Sequence, residues 1–182
     1  LTQEERDELI KLLASGYYII LTGNRFHFSS LLVKVLTFFK TWRWSRYSHV
    51  LMNCDFIDDP LKSDQFKFME ATSTGVHYST FDEVFDCDAV CVITPSNMPN
   101  SDWTGVIDKL VKYQGYPYDD LFQLADDTRI SCVELVRNAL KNGDPDYLKH
   151  FSYLEMMILW EGNLVPIMYR ECPDFKIVYE NK

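Results

Sequence analysis

Apolar positions along this chain recur with two periods, and the switches between them divide it into elements. Leu9, Ile10, Leu12 and Leu13 make one face of a helix predicted over residues 3–14, opened by a Thr2/Glu5 capping box and closed by Gly16. Tyr17 to Leu21 is a continuous apolar, β-rich run, the pattern of a buried strand, and Thr22 to Asn24 supplies a turn after it. Leu31, Leu32, Val35, Leu36, Phe38 and Phe39 return at helical spacing, which predicts a second helix from a Ser29 or Ser30 cap to about residue 41.

Ser48 to Asn53 and Phe66 to Ala71 read as paired strands, with Asp58, Asp59 and Pro60 between them. Val76 to Tyr78 adds a short strand after Gly75, and Ala89 to Thr94 another before Pro95. A helix then starts at Ser101, faces inward through Val106, Ile107, Leu110, Val111 and Tyr113, and ends before Gly115 and Pro117. Ile130 to Leu140 is a strong helical segment closed by Asn142 and Gly143. Beyond Pro145 the pattern is mixed: helix near Tyr147 to Leu159, strands near Val165 to Tyr169 and Phe175 to Tyr179. No repeat or linker interrupts the order, which predicts one α+β domain over residues 1–182.

Composition narrows the classes. Apolar residues make up 47% of 182 positions and charged residues 25%, which excludes disordered and low-complexity chains. Eighteen basic against 27 acidic residues give a net charge of -9, which argues against a general nucleic-acid binder. The charge is unevenly spread: Lys11, Arg25, Lys34, Lys40, Arg43 and Arg46 fall in a stretch from residue 9 to 54 that holds no acid. Trp42 and Trp44 interleave with these bases, so residues 25–46 offer contact with an anionic membrane, a cell-wall surface or an acyl chain. Packing of the apolar helix face into the domain is the competing use of the same residues.

Five cysteines (54, 87, 91, 132 and 172) make an odd set without CxxC spacing, so reduced thiols are expected rather than a disulfide framework or zinc ribbon. Cys87 and Cys91 read as buried thiols, and Gly23-Asn24 as a turn without a phosphate-binding glycine array. His27 and His77 have no companion at ligand spacing and are assigned loop or surface roles, so no metal or other cofactor is expected. No apolar run approaches the roughly 20 residues of a bilayer span, and the TQEERDELIKLL segment lacks a signal peptide's regions. The expected location is cytoplasmic, with phage delivery or envelope association as the alternatives.

Cys132 has the best position for chemistry. At a helix N terminus, free N–H groups and the macrodipole favour a thiolate, although Asp126 and Asp127 oppose this if they face inward. A nucleophilic thiol needs a base, and the base an orienting group. His49 sits in Tyr-Ser-His-Val, where strand alternation sends it to one face and Ser48 and Val50 to the other. Glu70 lies between apolar Met69 and Ala71, so its carboxylate needs a partner, and an imidazole would satisfy it.

The ordered set Gly16-Tyr-Tyr-Ile-Ile-Leu, Tyr47-Ser-His-Val, Met69-Glu-Ala and Ser131-Cys-Val-Glu-Leu-Val resembles the YiiX-like branch of circularly permuted papain-fold enzymes, relatives of NlpC-type cell-wall peptidases. Histidine before cysteine is the permuted order. The resemblance runs from about Gly16 to Leu140 and implies an antiparallel sheet packed against helices. It implies Cys132 as nucleophile, His49 as general base and later acid, and Glu70 as the residue orienting His49. Tyr118, in Gly-Tyr-Pro-Tyr-Asp, is similar to the tyrosine bordering the cleft in these families and is a candidate oxyanion donor beside the Cys132 N–H. Ser131 before the cysteine and Val133 after it depart from the common aromatic-Cys-Ser-Glu pattern.

The resulting expectation is a cysteine peptidase or amidase, acting by hydrolysis or acyl transfer on a peptide or lipid-linked acyl substrate through a thioester. Cell-wall peptide is the first substrate suggested. The alternative from another class is a catalytically silent papain-like binding or structural module of a virion or cell envelope.

Overall fold

The continuous apolar runs become strands: β1 (Ile19–Gly23), β2 (His49–Asn53), β3 (Phe68–Thr72), β4 (Gly75–Ser79), β5 (Ala89–Pro95) and β6 (Phe175–Glu180). In the computed structural model, which describes residues 1–23, 45–54, 66–119, 128–161 and 164–181, they form one antiparallel sheet in the order β4-β3-β2-β1-β5-β6. The helices among these residues are α1 (Gln3–Leu13), α2 (Phe81–Val84), α3 (Trp103–Leu110), α4 (Cys132–Gly143), α5 (Tyr147–His150), α6 (Ser152–Glu161) and α7 (Pro166–Glu171). The protein is therefore α+β, a six-stranded antiparallel sheet with helices against it.

Both faces of the sheet are covered, so β1 is buried along its whole length and reads as an unbroken apolar run. Ile20, Leu51, Phe68, Val90 and Val92 meet Leu9 and Leu13 of α1 and Phe81, Val84 and Phe85 around α2. Ile19, Leu21, Val50, Met52, Met69 and Ala71 belong to the larger core on the other side, with Trp103, Val106, Leu135, Val136 and Tyr169. No helix among the described residues is long and apolar enough to cross a membrane.

Helix α4 lies against β2, β3 and α3 and is held along its length. At its C-terminal end a Cβ on Gly143 would stand 2.3 Å from Val106 Cα, and one on Gly105 would stand 2.4 Å from the Gly143 carbonyl oxygen. Glycine at both positions lets the backbones of α3 and α4 touch. Near the first turn the Tyr169 hydroxyl donates to the Val133 carbonyl at 2.7 Å. In between, Arg137 donates twice to Glu155 of α6, at 2.7 and 2.8 Å, and Glu155 also accepts from Tyr147 at 2.6 Å.

Several expectations need correction. Val165 to Tyr169 is not a strand: Pro166 starts α7 at its first helical position, where a missing N–H costs nothing, and Pro166, Ile167, Met168 and Tyr169 are all buried. A short apolar run of that kind reads equally as strand or buried helix. The segment from Tyr147 is two helices parted at Phe151, and the helix expected from Ile130 begins at Cys132. Helix α2, with a Thr80/Glu83 capping box, was not anticipated. The helix expected near residues 29–41 and the Asp58-Asp59-Pro60 connection lie outside the described residues.

The glycine contact gives a direct test. Gly143→Ala forces a methyl into the Val106 backbone and should cost about 3 kcal/mol, the upper part of the overpacking range. Thermal denaturation should show a Tm lower by roughly 6–12 °C for a chain of this size.

Candidate active site

Three elements distant in sequence converge on one point. Ser131 is the N-cap of α4: its hydroxyl accepts from the Glu134 N–H at 3.4 Å, while the Glu134 carboxylate accepts from the Ser131 N–H at 2.9 Å and its hydroxyl at 2.6 Å. This box engages the donors at either end of the first turn. Cys132 is the first residue inside the helix, 3% exposed. The N–H groups of Cys132 and Val133 have no acceptor among the described residues. The approach to this turn is pinned too: Tyr118 bridges Ile130 in parallel, with Ile130 N–H donating to Pro117 O at 3.0 Å and Asp119 N–H to Ile130 O at 3.2 Å.

His49 opens β2, opposite Thr22 of β1. The chain reaches that position by running tightly over the end of β1, where a Cβ on Gly23 would lie 1.9 Å from the Arg46 carbonyl oxygen. Gly23, read from sequence as part of a turn, is the last residue of β1 and permits this close approach. Val50 and Met52 belong to the large core, as does Cys132, and Leu51 to the small one; His49, first residue of the strand, is partly buried. On β3, Glu70 alternates with Met69 and Ala71. The β2–β3 ladder pairs Met52 with Met69 and Asn53 with Phe68, which sets Glu70 diagonally across from His49. His49 Nε2 donates to Glu70 Oε2 at 2.7 Å, and the Cys132 side chain stands close enough to the ring to bear on its charge.

Charge follows this geometry. Burial alone would lower the His49 pKa, but the charge and hydrogen bond of Cys132, then the bond and charge of Glu70, outweigh it and raise it well above the ordinary histidine value. Burial would raise the Glu70 carboxyl; hydrogen bonding and charge from His49, the Ser79 hydroxyl and the charge of His77 together hold it below the usual carboxylate value. The arrangement favours an imidazolium between a sulfur and a carboxylate. Cys91, buried as expected, and the buried Cys172 lack an imidazole partner among the described residues, and burial pushes both up to about 12; Cys87, expected to be buried, is only partly so, and is pushed up to about 11.

The structure thus brings Cys132, His49 and Glu70 together, and sets the Tyr118 backbone beside the residue two before Cys132. The Tyr118 side chain is half-buried against the large core. Sequence reasoning missed two residues around Glu70. Ser79 donates its hydroxyl to Glu70 Oε1, and His77, assigned a loop or surface role, is a strand residue directly opposite Glu70 with Nε2 3.6 Å from the same oxygen. Of the cationic stretch, Arg46 donates to the Asn181 carbonyl at 3.1 Å; residues 25–44, with His27, and also Asp126 and Asp127, lie outside the described residues.

One group of side chains elsewhere has donors suited to a metal. Asp102, Asp144 and His150 place one ligand atom each within 4.8 Å of one another. Asp144 is fully buried and its Oδ2 lies 2.8 Å from His150 Nδ1. The second ring nitrogen of His150, a side chain 5% exposed, has no hydrogen-bond partner among the described residues.

No family model matches the chain, and no curated protein sequence does. A solved structure does: the metalloprotein YiiX from Escherichia coli O157:H7, DUF1105, superposes with a TM-score of 0.65 at 18% sequence identity, covering 91% of this chain and 96% of that one. The likeness is one of fold, and it supports the YiiX-like architecture expected from the motif order.

The contrast among thiols is measurable. Under iodoacetamide at neutral pH, with peptide mass spectrometry, Cys132 should be modified at least tenfold faster than Cys87, Cys91 or Cys172. His49→Ala should remove most of that advantage; equal rates at all buried thiols would show that the pair does not activate Cys132.

Proposed function

We propose that the protein is a cysteine hydrolase or acyltransferase acting on an amide, peptide or related acyl bond. The observation that carries this reading is the Cys132–His49–Glu70 constellation, in which a helix-terminal cysteine stands beside an imidazole that is hydrogen-bonded to a carboxylate. Its motif order matches the permuted papain-like enzymes, and its fold matches YiiX.

The chemistry runs on one proton. His49 holds the proton taken from Cys132, and the thiolate attacks the acyl carbon. The oxygen gains negative charge beside the Cys132 and Val133 N–H groups, which have no acceptor among the described residues. His49 then gives its proton to the leaving amine or alcohol as the C–N or C–O bond breaks and a thioester forms. Water, or an amine or alcohol acceptor, loses a proton to His49 and attacks the thioester. The released sulfur takes that proton back as the acid or transferred acyl product leaves. Glu70 keeps its charge throughout and fixes the tautomer of His49. Cell-wall peptide is the first substrate to try, and lipid-linked amides or esters the second.

The fold relative is titled a metalloprotein, and in this chain Asp102, Asp144 and His150 would hold such an ion. One imidazole and two carboxylates suit a divalent cation such as Zn²⁺ or Mn²⁺. Cys132 and Asp144 stand at opposite ends of the 12-residue α4, about 18 Å apart. Asp102 before α3, Asp144 after α4 and His150 of α5 would hold a cation that joins these three elements and supplies stability.

Two experiments test these readings. Cys132→Ala should abolish turnover of acyl-peptide substrates and the mass-detectable acyl-enzyme while leaving Tm nearly unchanged; full turnover by this variant would overturn the assignment, and unchanged partner binding without turnover in the parent would mark a silent module. For the cation, excess Zn²⁺ should raise the parent Tm by roughly 5–10 °C at a hundredfold excess over Kd. Asp144→Asn and His150→Gln should lose that rise without changing the Cys132 alkylation rate.

A further inference from the structure

The reading of Cys132, His49 and Glu70 as a catalytic set leaves open what holds Glu70. A glutamate side chain has three rotatable bonds, and a carboxylate free to turn would hold His49 only part of the time. Here both oxygens are engaged. Oε2 faces His49 at 2.7 Å; Oε1 accepts from the Ser79 hydroxyl and lies 3.6 Å from His77 Nε2. Resting on that reading, we propose that Ser79 and His77 are positioning residues, clamping Glu70 Oε1 from β4 so that Oε2 holds His49 for its exchange with Cys132.

The register explains how one strand supplies both. β4 pairs with β3 through His77 opposite Glu70 and Ser79 opposite Phe68, so His77 and Ser79, two apart, share the face on which Glu70 stands. The two residues differ in exposure, and so in role. Ser79 is 4% exposed and offers a neutral, permanent donor. The His77 side chain is 40% exposed, with Nδ1 3.0 Å from the Gly75 carbonyl. With Nδ1–H donated to that carbonyl, the ring presents Nε2 to Glu70 Oε1 at 3.6 Å, a separation at which the charged form of the ring attracts the carboxylate.

Among the described residues, the groups facing this carboxylate are few. They are His49 from β2, His77 and Ser79 from β4, Cys132 of α4 through His49, and the charge of Glu83 on α2, itself engaged in the Thr80 capping box. Loss of the Ser79 donor lets the carboxyl take up a proton at higher pH. The charge supporting the His49 imidazolium is then lost earlier as the solution is acidified, so the acid limb of Cys132 reactivity moves to higher pH.

The test needs no substrate and uses the full chain. The rate of Cys132 alkylation by iodoacetamide is followed against pH in the parent, Ser79→Ala, Ser79→Thr, His77→Gln, Glu70→Gln and the Ser79→Ala/Glu70→Gln pair. Ser79→Ala should slow the neutral reaction about tenfold, the effect of one hydrogen bond to a charged group, and move the acid limb upward. Ser79→Thr, which keeps the hydroxyl, should restore both. His77→Gln, at a half-exposed position that tolerates change, should shift the limb in the same direction by a smaller amount. The pair should be no slower than Glu70→Gln alone, since the clamp acts only through Glu70.

Parent-like profiles in Ser79→Ala and His77→Gln beside a slowed Glu70→Gln would overturn the clamp and leave the catalytic set standing. A parent in which Cys132 reacts like the other thiols, insensitive to Glu70→Gln, would overturn the catalytic set and the clamp with it. If Ser79→Ala does not fold, His77→Gln decides: a parent-like profile there overturns the clamp.

Discussion

A carboxylate taken out of water must be surrounded by donors, and Glu70 is the group through which this requirement shapes the site. Its side chain is 13% exposed between Met69 and Ala71, both in the core. Water is replaced by His49, Ser79 and His77, drawn from the two strands on either side of β3. Burying a charge costs several kcal/mol unless partners compensate, so a slip of β3 against either neighbour would be penalised both by the apolar pattern and by a stranded charge. The geometry of the site and the strand register are thereby coupled.

The sulfur is placed by a different set of forces. Helix α4 must start at one residue, because a shift by one would turn Cys132 away from His49 by about 100°. The Ser131/Glu134 box sets that start, and Tyr169 ties the second turn residue to α7. At the far end the Gly105–Gly143 contact limits how α4 can slide along α3. The glycines look remote from the chemistry, yet they act on it through a rigid helix.

Much of this was legible in the sequence, and the reasons differ by element. β1, β2, β3 and β5 were visible because both sheet faces are covered, giving dense apolar runs. Cys132, His49 and Glu70 were each visible as polar residues in apolar surroundings, with a motif order to connect them. Ser79 and His77 were not, because nothing local marks a strand residue that matters only through its cross-strand neighbour. A register placing His77 opposite Glu70 across the Ser73-Thr74 turn would have found them. The S/T-x-x-E rule applied at Thr2 holds also at Thr80 and Ser131, and reading it there would have located α2 and moved the start of α4 to Cys132. Val165 to Tyr169 misled because burial on all sides removes the periodicity that separates strand from helix.

The site is also non-local in a way that limits how it can be lost. His49 and Glu70 depend on the centre of the sheet, Cys132 on a helix docked later in the chain, and Tyr118 on a backbone bridge to the segment before that helix. Forming the Cys132–His49 contact therefore requires closing the long loop between residues 49 and 132, which only the assembled core can offset. The proximity of Cys132 and His49 is accordingly a property of the completed fold: an opening that separates α4 from β2 would leave both elements intact and part the sulfur from the imidazole. Local opening of that kind and loss of the Glu70 clamp differ in their pH dependence. The first lowers reactivity at every pH, whereas the second displaces its acid limb.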